Sequence, residues 1–123
     1  DGEKVAINLA LATTGMCAIV FDCEMDRIFG AESKRHPAAT DGITAARVIV
    51  HQMRNAFAHE PIEPSWRVER KEHLTVFEVA EAELSVDFRA LNGRKFAIGD
   101  INGLPGLTRL LNYCVERTQE GER

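Results

Sequence analysis

The strongest constraint on the fold is the helical spacing of apolar residues in the first thirty positions. They recur at intervals of four, three, four, three and four residues, the stripe of a helix that faces a partner. A second stripe lies alongside, so we expect a helix over residues 3–29 that is buried on more than one side. Gly15 permits close helix approach or a local bend, and Gly30 is expected to end the helix. The first stripe comprises Val5, Leu9, Ala12, Met16, Ile19 and Cys23, and the second Phe21, Met25 and Ile28.

A second helix is predicted to begin at Thr40 or Asp41, because both residue types cap helix N-termini well. Pro61 and Pro64 end it, since proline lacks the amide proton and clashes with the preceding turn. His59 therefore falls in the last turn. The apolar seam of this helix again follows three-four spacing and consists of Ile43, Ala46, Val50, Met53 and Phe57.

After Ser65 the pattern changes to one typical of strands. Two segments are rich in β-branched and aromatic residues, and two others alternate apolar with polar residues. We therefore expect an antiparallel hairpin or small sheet in this part of the chain. The predicted strands cover residues 66–70, 74–79, 84–88 and 96–98.

The dipeptide Asn92-Gly93 lies between the last two predicted strands and signals a hairpin turn. A two-residue loop would pair Phe88 with Ala97 and separate the apolar faces. A three-residue loop over 91–93 sets Phe88 opposite Phe96 and unites those faces. Because burial determines register, we predict the three-residue loop.

A closing helix is predicted over residues 104–118, with Leu104, Leu107, Leu111 and Cys114 on its apolar face. The fold class is therefore α+β, mainly α. We expect one domain over residues 1–123. Its helical core covers about 3–60 and 104–118, and its β-rich elaboration covers about 66–101.

Composition narrows the class of protein. The chain is 45% hydrophobic and 28% charged, and no uninterrupted apolar run approaches the roughly 18–20 residues of a membrane span. Its three cysteines lack CxxC spacing, which favours buried thiols in a reducing cytosol over a zinc site. We expect a cytoplasmic protein with no metal and no cofactor. The formal net charge of −4 argues against broad nucleic-acid binding but allows a small basic cleft.

Several other polar and aromatic residues receive structural interpretations. The acidic cluster Asp22, Glu24 and Asp26 is expected to form a solvated helix face rather than a metal site. His73 is predicted at an exposed strand end. Trp66 is interpreted as a core anchor rather than a base-stacking platform.

The most informative chemistry lies in residues 54–59, where Arg54, Asn55 and His59 occupy about one and a half helical turns. Asn55 and His59 are four residues apart and share a face. Arg54 and His59 are about 140° apart around the helix, so one chain cannot easily aim both at one atom. Two copies about a two-fold axis can do so, which predicts a homodimer.

These residue types suit metal-free RNA cleavage. A histidine can accept the proton of a ribose 2′-OH or donate one to the leaving oxygen. An arginine can stabilise the charge that develops on the phosphorane. Arg47 and His51 precede Arg54 on one basic stripe, and we interpret them as RNA-binding. The alternative from chemistry alone is a solvated helix end, where the helix dipole favours His59.

Residues 54–59 resemble the Arg-polar-x-x-x-His signature of the HEPN (higher eukaryotes and prokaryotes nucleotide-binding) family. The resemblance covers residues 40–60 well and the first helix loosely. It implies a dimerising helical bundle, and many members are metal-independent endoribonucleases of toxin–antitoxin, phage-defence or RNA-processing systems. Carried over, the catalytic residues are Arg54, Asn55 and His59, in a cleft between two copies.

The preferred function is therefore a metal-independent endoribonuclease, expected to bind RNA, with a cognate antitoxin protein as a further partner. The main alternative is a non-catalytic HEPN-like dimeric module that binds nucleotide, RNA or a protein partner. A third possibility is a purely structural dimerisation domain.

Overall fold

The computed structural model of the protein describes residues 1–35 and 41–121. Long helices dominate it, and a two-stranded antiparallel sheet packs against the central helix, which confirms the predicted α+β, mainly α class. Short 3₁₀ turns connect several of the elements. In chain order the helices and strands are α1 (Gly2–Phe29), α2 (Glu32–Arg35), α3 (Gly42–His59), β1 (Val76–Val79), β2 (Leu84–Asp87), α4 (Phe88–Leu91) and α5 (Gly103–Gly121).

Helices α1 and α3 form an antiparallel pair at the centre of the fold. A Cβ built on Gly15 of α1 would lie only 2.5 Å from Cδ1 of Phe57, so glycine is needed for this close approach. Both helices were predicted within a residue or two of their ends. Asp41 caps α3, its side chain accepting a hydrogen bond from the backbone N–H of Thr44. The other predicted cap, Thr40, lies outside the described residues.

The buried face of α1 differs from the predicted one. The face that packs against the core carries small and polar residues as well as Met25, whereas Val5, Leu9 and Met16 of the predicted stripe are exposed. Three-four spacing identifies a possible contact stripe but does not say which stripe the rest of the chain covers. The buried residues of α1 are Thr14, Gly15, Ala18, Asp22 and Met25.

The observed hairpin joins the second and third predicted strands, whereas the predicted one joined the third and fourth. Strands β1 and β2 pair antiparallel, with Phe77 opposite Val86. The predicted pairing of Phe88 with Phe96 is wrong, because Phe88 begins helix α4. Asp87 caps that helix by accepting a hydrogen bond from the backbone N–H of Arg89, which ends the strand.

The segment predicted as the first strand, 66–70, is not a strand. It follows an isolated bridge between Ser65 and Lys95, and Trp66 exchanges backbone hydrogen bonds with the turn at Gly93 and Arg94. The apolar residues Trp66 and Val68 are buried or partly buried although the segment does not pair as a strand. Their burial explains why the segment has the composition of a strand.

Aromatic side chains join this region to the end of α3. The Trp66 ring lies 5.5 Å from that of Phe88 and 5.0 Å from that of Phe96, and Phe96 in turn lies 5.0 Å from Phe57. Trp66 is fully buried, which confirms it as a core anchor.

Helix α5 closes the core with a face rotated from the predicted one. Leu107 and Cys114 are buried as expected, but Leu104 is exposed and Leu111 only partly buried. Leu110 and Tyr113 take the central positions instead. The helix also reaches Gly121, three residues beyond its predicted end.

Helix α1 is long and apolar enough to cross a membrane by length and composition alone. The sequence-based expectation depended on uninterrupted apolar runs, all of which are short. A few polar residues interrupt those runs, but α1 is apolar on average over its length. Core helices of soluble proteins and N-terminal signal sequences share the same properties. The cytoplasmic location stays a prediction.

Candidate functional site

The three motif residues lie in the last two turns of α3, in different environments. Arg54 is exposed, Asn55 is almost completely buried, and the His59 side chain is 46% exposed. Nη1 of Arg54 donates a hydrogen bond to Oδ1 of Asn55 over 3.0 Å. The buried carboxamide thus restrains the exposed guanidinium through one hydrogen bond.

A chain of hydrogen bonds continues from Asn55 into the α1–α3 interface. Nδ2 of Asn55 lies 3.4 Å from Nε2 of His51, and Nδ1 of His51 lies 3.2 Å from Oδ2 of Asp22. Nζ of Lys34 then donates to Oδ1 of Asp22 over 2.7 Å. The polar network defined by Asn55, His51, Asp22 and Lys34 therefore links the motif to α1 and α2.

Of the acidic residues predicted to form a solvated face of α1, Glu24 is exposed as expected, but Asp22 and Asp26 are not. Asp22 is buried, and Asp26 forms ion pairs with Lys34 and Arg47 at 2.7 and 3.2 Å. Burial raises the pKa of Asp22, but the hydrogen bonds and charges of His51 and Lys34 outweigh it, so the pKa lies below its usual value. Asp22 is consequently ionised at neutral pH.

Arg47 has a structural position rather than the predicted RNA-binding one. Its side chain is only 3% exposed, pairs with Asp26, donates to the backbone carbonyl of Gly30 and lies over the Phe29 ring. A guanidinium enclosed in this way cannot reach a phosphate. The basic stripe through Arg47, His51 and Arg54 is therefore not a continuous surface, because His51 also points into the polar network.

His59 stands apart from this network. Its Nε2 lies 3.6 Å from Oε1 of Glu69, and both side chains are substantially exposed. Asn55 shares a face with His59, but within the described part of the chain its hydrogen bonds go to Arg54 and His51. Within one chain, the guanidinium and the imidazole thus have different partners, Asn55 and Glu69.

Sequence reasoning missed Asp22, Lys34 and Glu69 as neighbours of the motif. A signal for Asp22 existed, because it occupies the stripe of small residues Thr14, Gly15 and Ala18 at helical spacing. A carboxylate on a buried stripe needs a buried partner. Lys34 and Glu69 lie in short connecting segments that show no such periodicity.

His73 is buried instead of exposed, and it ties its turn to both neighbouring helices. Nε2 of Gln52 donates to Nδ1 of His73 over 2.9 Å, and Nε2 of His73 donates to the backbone carbonyl of Lys34 over 2.8 Å. Burial lowers the pKa of His73 from its usual 6.5. The ring is therefore neutral in the folded protein.

This burial predicts a loss of stability in mild acid. The unfolded chain binds a proton on His73 near pH 6.5 whereas the folded chain binds it only at lower pH. The contribution of neutral His73 to the free energy of unfolding is complete above pH 6.5 and is lost as pH falls through the pKa of the folded state. The free energy of unfolding changes by at most about 1.4 kcal/mol per pH unit from this one group.

Urea unfolding between pH 7.5 and pH 5 measures the effect. His73→Gln keeps one donor and one acceptor but cannot titrate, so it should flatten this part of the pH dependence. An equal slope in both proteins would contradict the assignment.

The described residues contain no group of three or more His, Cys, Asp or Glu side chains arranged to hold a metal ion. A cavity of about 480 Å³ lies at the opposite end of α3, where Asp41, Tyr113 and Arg117 contribute to its lining. It includes none of the motif residues. The exposed side chains of the candidate site, Arg54 and His59, therefore lie at the end of α3 away from this cavity.

Comparisons of the chain with protein-family models, with curated proteins and with solved structures found no match.

Proposed function

We propose that the protein is a metal-independent endoribonuclease of HEPN type that acts as a homodimer. The observation that carries the proposal is the exposed Arg54 guanidinium, held by buried Asn55, at the same end of α3 as the exposed His59. A fixed cation and an accessible acid–base group are the two elements that metal-free phosphodiester cleavage requires. A place in a toxin–antitoxin or phage-defence system, with a cognate antitoxin as partner, is part of the same proposal.

The reaction is transesterification within RNA. The ribose 2′-oxygen attacks phosphorus, the bond from phosphorus to the 5′-oxygen breaks, and the products are a 2′,3′-cyclic phosphate and a 5′-OH. A dimer offers two His59 imidazoles, so one neutral ring can accept the 2′-OH proton while a protonated ring supplies the proton of the leaving oxygen. Arg54 stabilises the additional negative charge on the phosphoryl oxygens.

Helix α1 supplies a surface for the second copy. The pairs Gly15–Phe57 and Asp22–His51 set an antiparallel register in which His59 lies level with position 13 or 14 of α1. The preceding dozen residues of α1 therefore extend about 18 Å beyond the end of α3. We call residues 2–13 the α1 arm.

The face of α1 that packs against α3 continues along the α1 arm. Helix α3 ends before it reaches this part of the face. An apolar groove of about 140 Å³ lies there, and Ile7 and Leu104 at its edge are 53% and 58% exposed. In the proposed dimer, α3 of the second copy packs against this face, and the C-terminal ends of the two α3 helices face each other. Both motifs then meet at the two-fold axis. The groove is lined by Ile7, Ala10, Leu11, Thr14, Ile98 and Leu104.

The test is cleavage of labelled single-stranded RNA by the purified protein in EDTA. We expect cleavage with a 2′,3′-cyclic phosphate end, and no cleavage of DNA of the same sequence, because DNA lacks the nucleophile. Absence of RNA cleavage in EDTA, or cleavage of both polymers, would contradict the proposal.

The alternative is a non-catalytic dimeric module that binds nucleotide, RNA or a protein partner. The burial of Arg47 favours it over catalysis, because Arg47 cannot join Arg54 in stabilising the charge of a transition state. Retention of RNA without cleavage would support this second function.

A further inference from the structure

We propose that His51 is a positioning residue, whose protonation state sets the orientation of the Asn55 carboxamide and thereby holds or releases Arg54. The inference rests on the proposed function for its catalytic consequence, but the coupling itself is a property of the polar network. It concerns the regulation of the same site by pH.

The hydrogen bonds are mutually consistent only for one form of His51. Oδ1 of Asn55 accepts from Arg54, so Nδ2 of Asn55 faces Nε2 of His51 and donates to it. Nε2 of His51 must then carry no proton. Nδ1 carries the ring proton and donates to the Asp22 carboxylate, which accepts a second bond from Lys34.

Protonation of His51 reverses one of these bonds. A second ring N–H at Nε2 would face the Asn55 amino group, and two donors cannot bond to each other. Rotation of the carboxamide restores a bond by turning Oδ1 toward His51. The same rotation presents the amino group to Arg54, which has only donors, so the guanidinium loses its anchor.

The charges around His51 come from every element packed against it. On α1, Asp22 contacts the ring directly, and Asp26 lies one turn further along. Lys34 of α2 bonds to both carboxylates. Of the positive groups on α3, Arg47 pairs with Asp26 and Arg54 with Asn55. Buried His73, in the turn beyond α3, lies close enough for a positive charge on His51 to lower its pKa further.

The contact with Asp22 orients the ring of His51. Both the neutral and the protonated ring carry a proton on Nδ1 and can donate it to this carboxylate. The two states therefore differ mainly at Nε2, which is the atom that faces Asn55.

Nuclear magnetic resonance on the full chain tests the coupling without relying on activity. The ring protons of His51 and the side-chain Nε–H of Arg54 are followed from pH 8 to pH 5. We expect the Arg54 signal to shift with the midpoint of His51, as the population bonded to Asn55 falls about 2- to 10-fold, the worth of one ordinary hydrogen bond. No shift of Arg54 through the His51 titration would overturn the proposal.

Two variants separate the carboxamide mechanism from a simple charge effect. Asn55→Leu keeps the volume of the side chain but removes both hydrogen bonds, so Arg54 should no longer follow His51. An unchanged Arg54 shift in Asn55→Leu would overturn the proposal, because charge acting through space needs no carboxamide. His51→Gln keeps a donor and an acceptor without titrating, and it should hold Arg54 bonded throughout.

Failure of this inference is distinguishable from failure of the proposed function. An inactive protein in which Arg54 follows His51 would support the coupling and refute the ribonuclease. An active ribonuclease in which Arg54 ignores His51 would overturn the coupling alone.

Discussion

Replacing His59 with alanine is expected to reduce RNA cleavage by about 10²–10⁴-fold, the usual contribution of a positioned acid–base group. Arg54→Ala should cause a loss of about 10²–10³-fold by removing a donor to the transition-state charge. Arg54→Lys should recover little, because an ammonium cannot bond to a carboxamide and a phosphate in the fork geometry of a guanidinium. Single-turnover rates on labelled RNA measure all three variants.

Arg67→Ala is the matched control, since Arg67 is an exposed arginine soon after α3 but outside the motif. It should cleave at nearly the wild-type rate. Equal cleavage by wild type and His59→Ala would identify a contaminating nuclease as the source of the activity. Overexpression offers an independent check, because cells should tolerate His59→Ala better than an active ribonuclease.

Placing a charge in the groove of the α1 arm should separate the two copies. Ile7→Glu is expected to weaken self-association by about 100-fold or more, because burying an unpaired carboxylate costs several kcal/mol. RNA cleavage should fall in parallel, since each composite site needs both chains. Sedimentation across a concentration series measures the association, and the rate assay follows cleavage on the same samples.

Val20→Glu is the control for this experiment. Val20 is 55% exposed, like Ile7, but lies about 140° away around the same helix. A dimer disrupted by Val20→Glu and unaffected by Ile7→Glu would place the interface on the outer face of α1. Mixing Arg54→Ala chains with His59→Ala chains gives a second test, because a composite site should regain cleavage that neither variant has alone.

The helices could be predicted from the sequence because their signals are local. Asp41 and Pro61 mark the ends of α3, and three-four spacing marks its seam, so its bounds needed no knowledge of the tertiary fold. The orientation of α1 could not be read in the same way. Its exposed stripe is more apolar than its buried one, since the contact with α3 uses Gly15 and Ala18 to bring the helices together.

The hairpin and the polar network depended on contacts between distant residues. The Asn92-Gly93 signal was outweighed by the capping of α4 at Asp87, which ended β2 before Phe88. Likewise, the motif residues could be located in the last turns of α3, but the partner of His51 lies 29 positions earlier in the chain. A pattern within one segment does not contain that information.

The packed aromatic rings of Phe57, Trp66, Phe88 and Phe96 give the protein an intrinsic fluorescent probe of folding. Trp66 is the chain's one tryptophan, it is fully buried, and its indole N–H donates to Asp100 over 2.9 Å. Through Phe96 its ring is packed indirectly against Phe57, at the end of α3 that carries the motif. The wavelength of its fluorescence emission therefore follows the packing behind the candidate site, and no label needs to be attached.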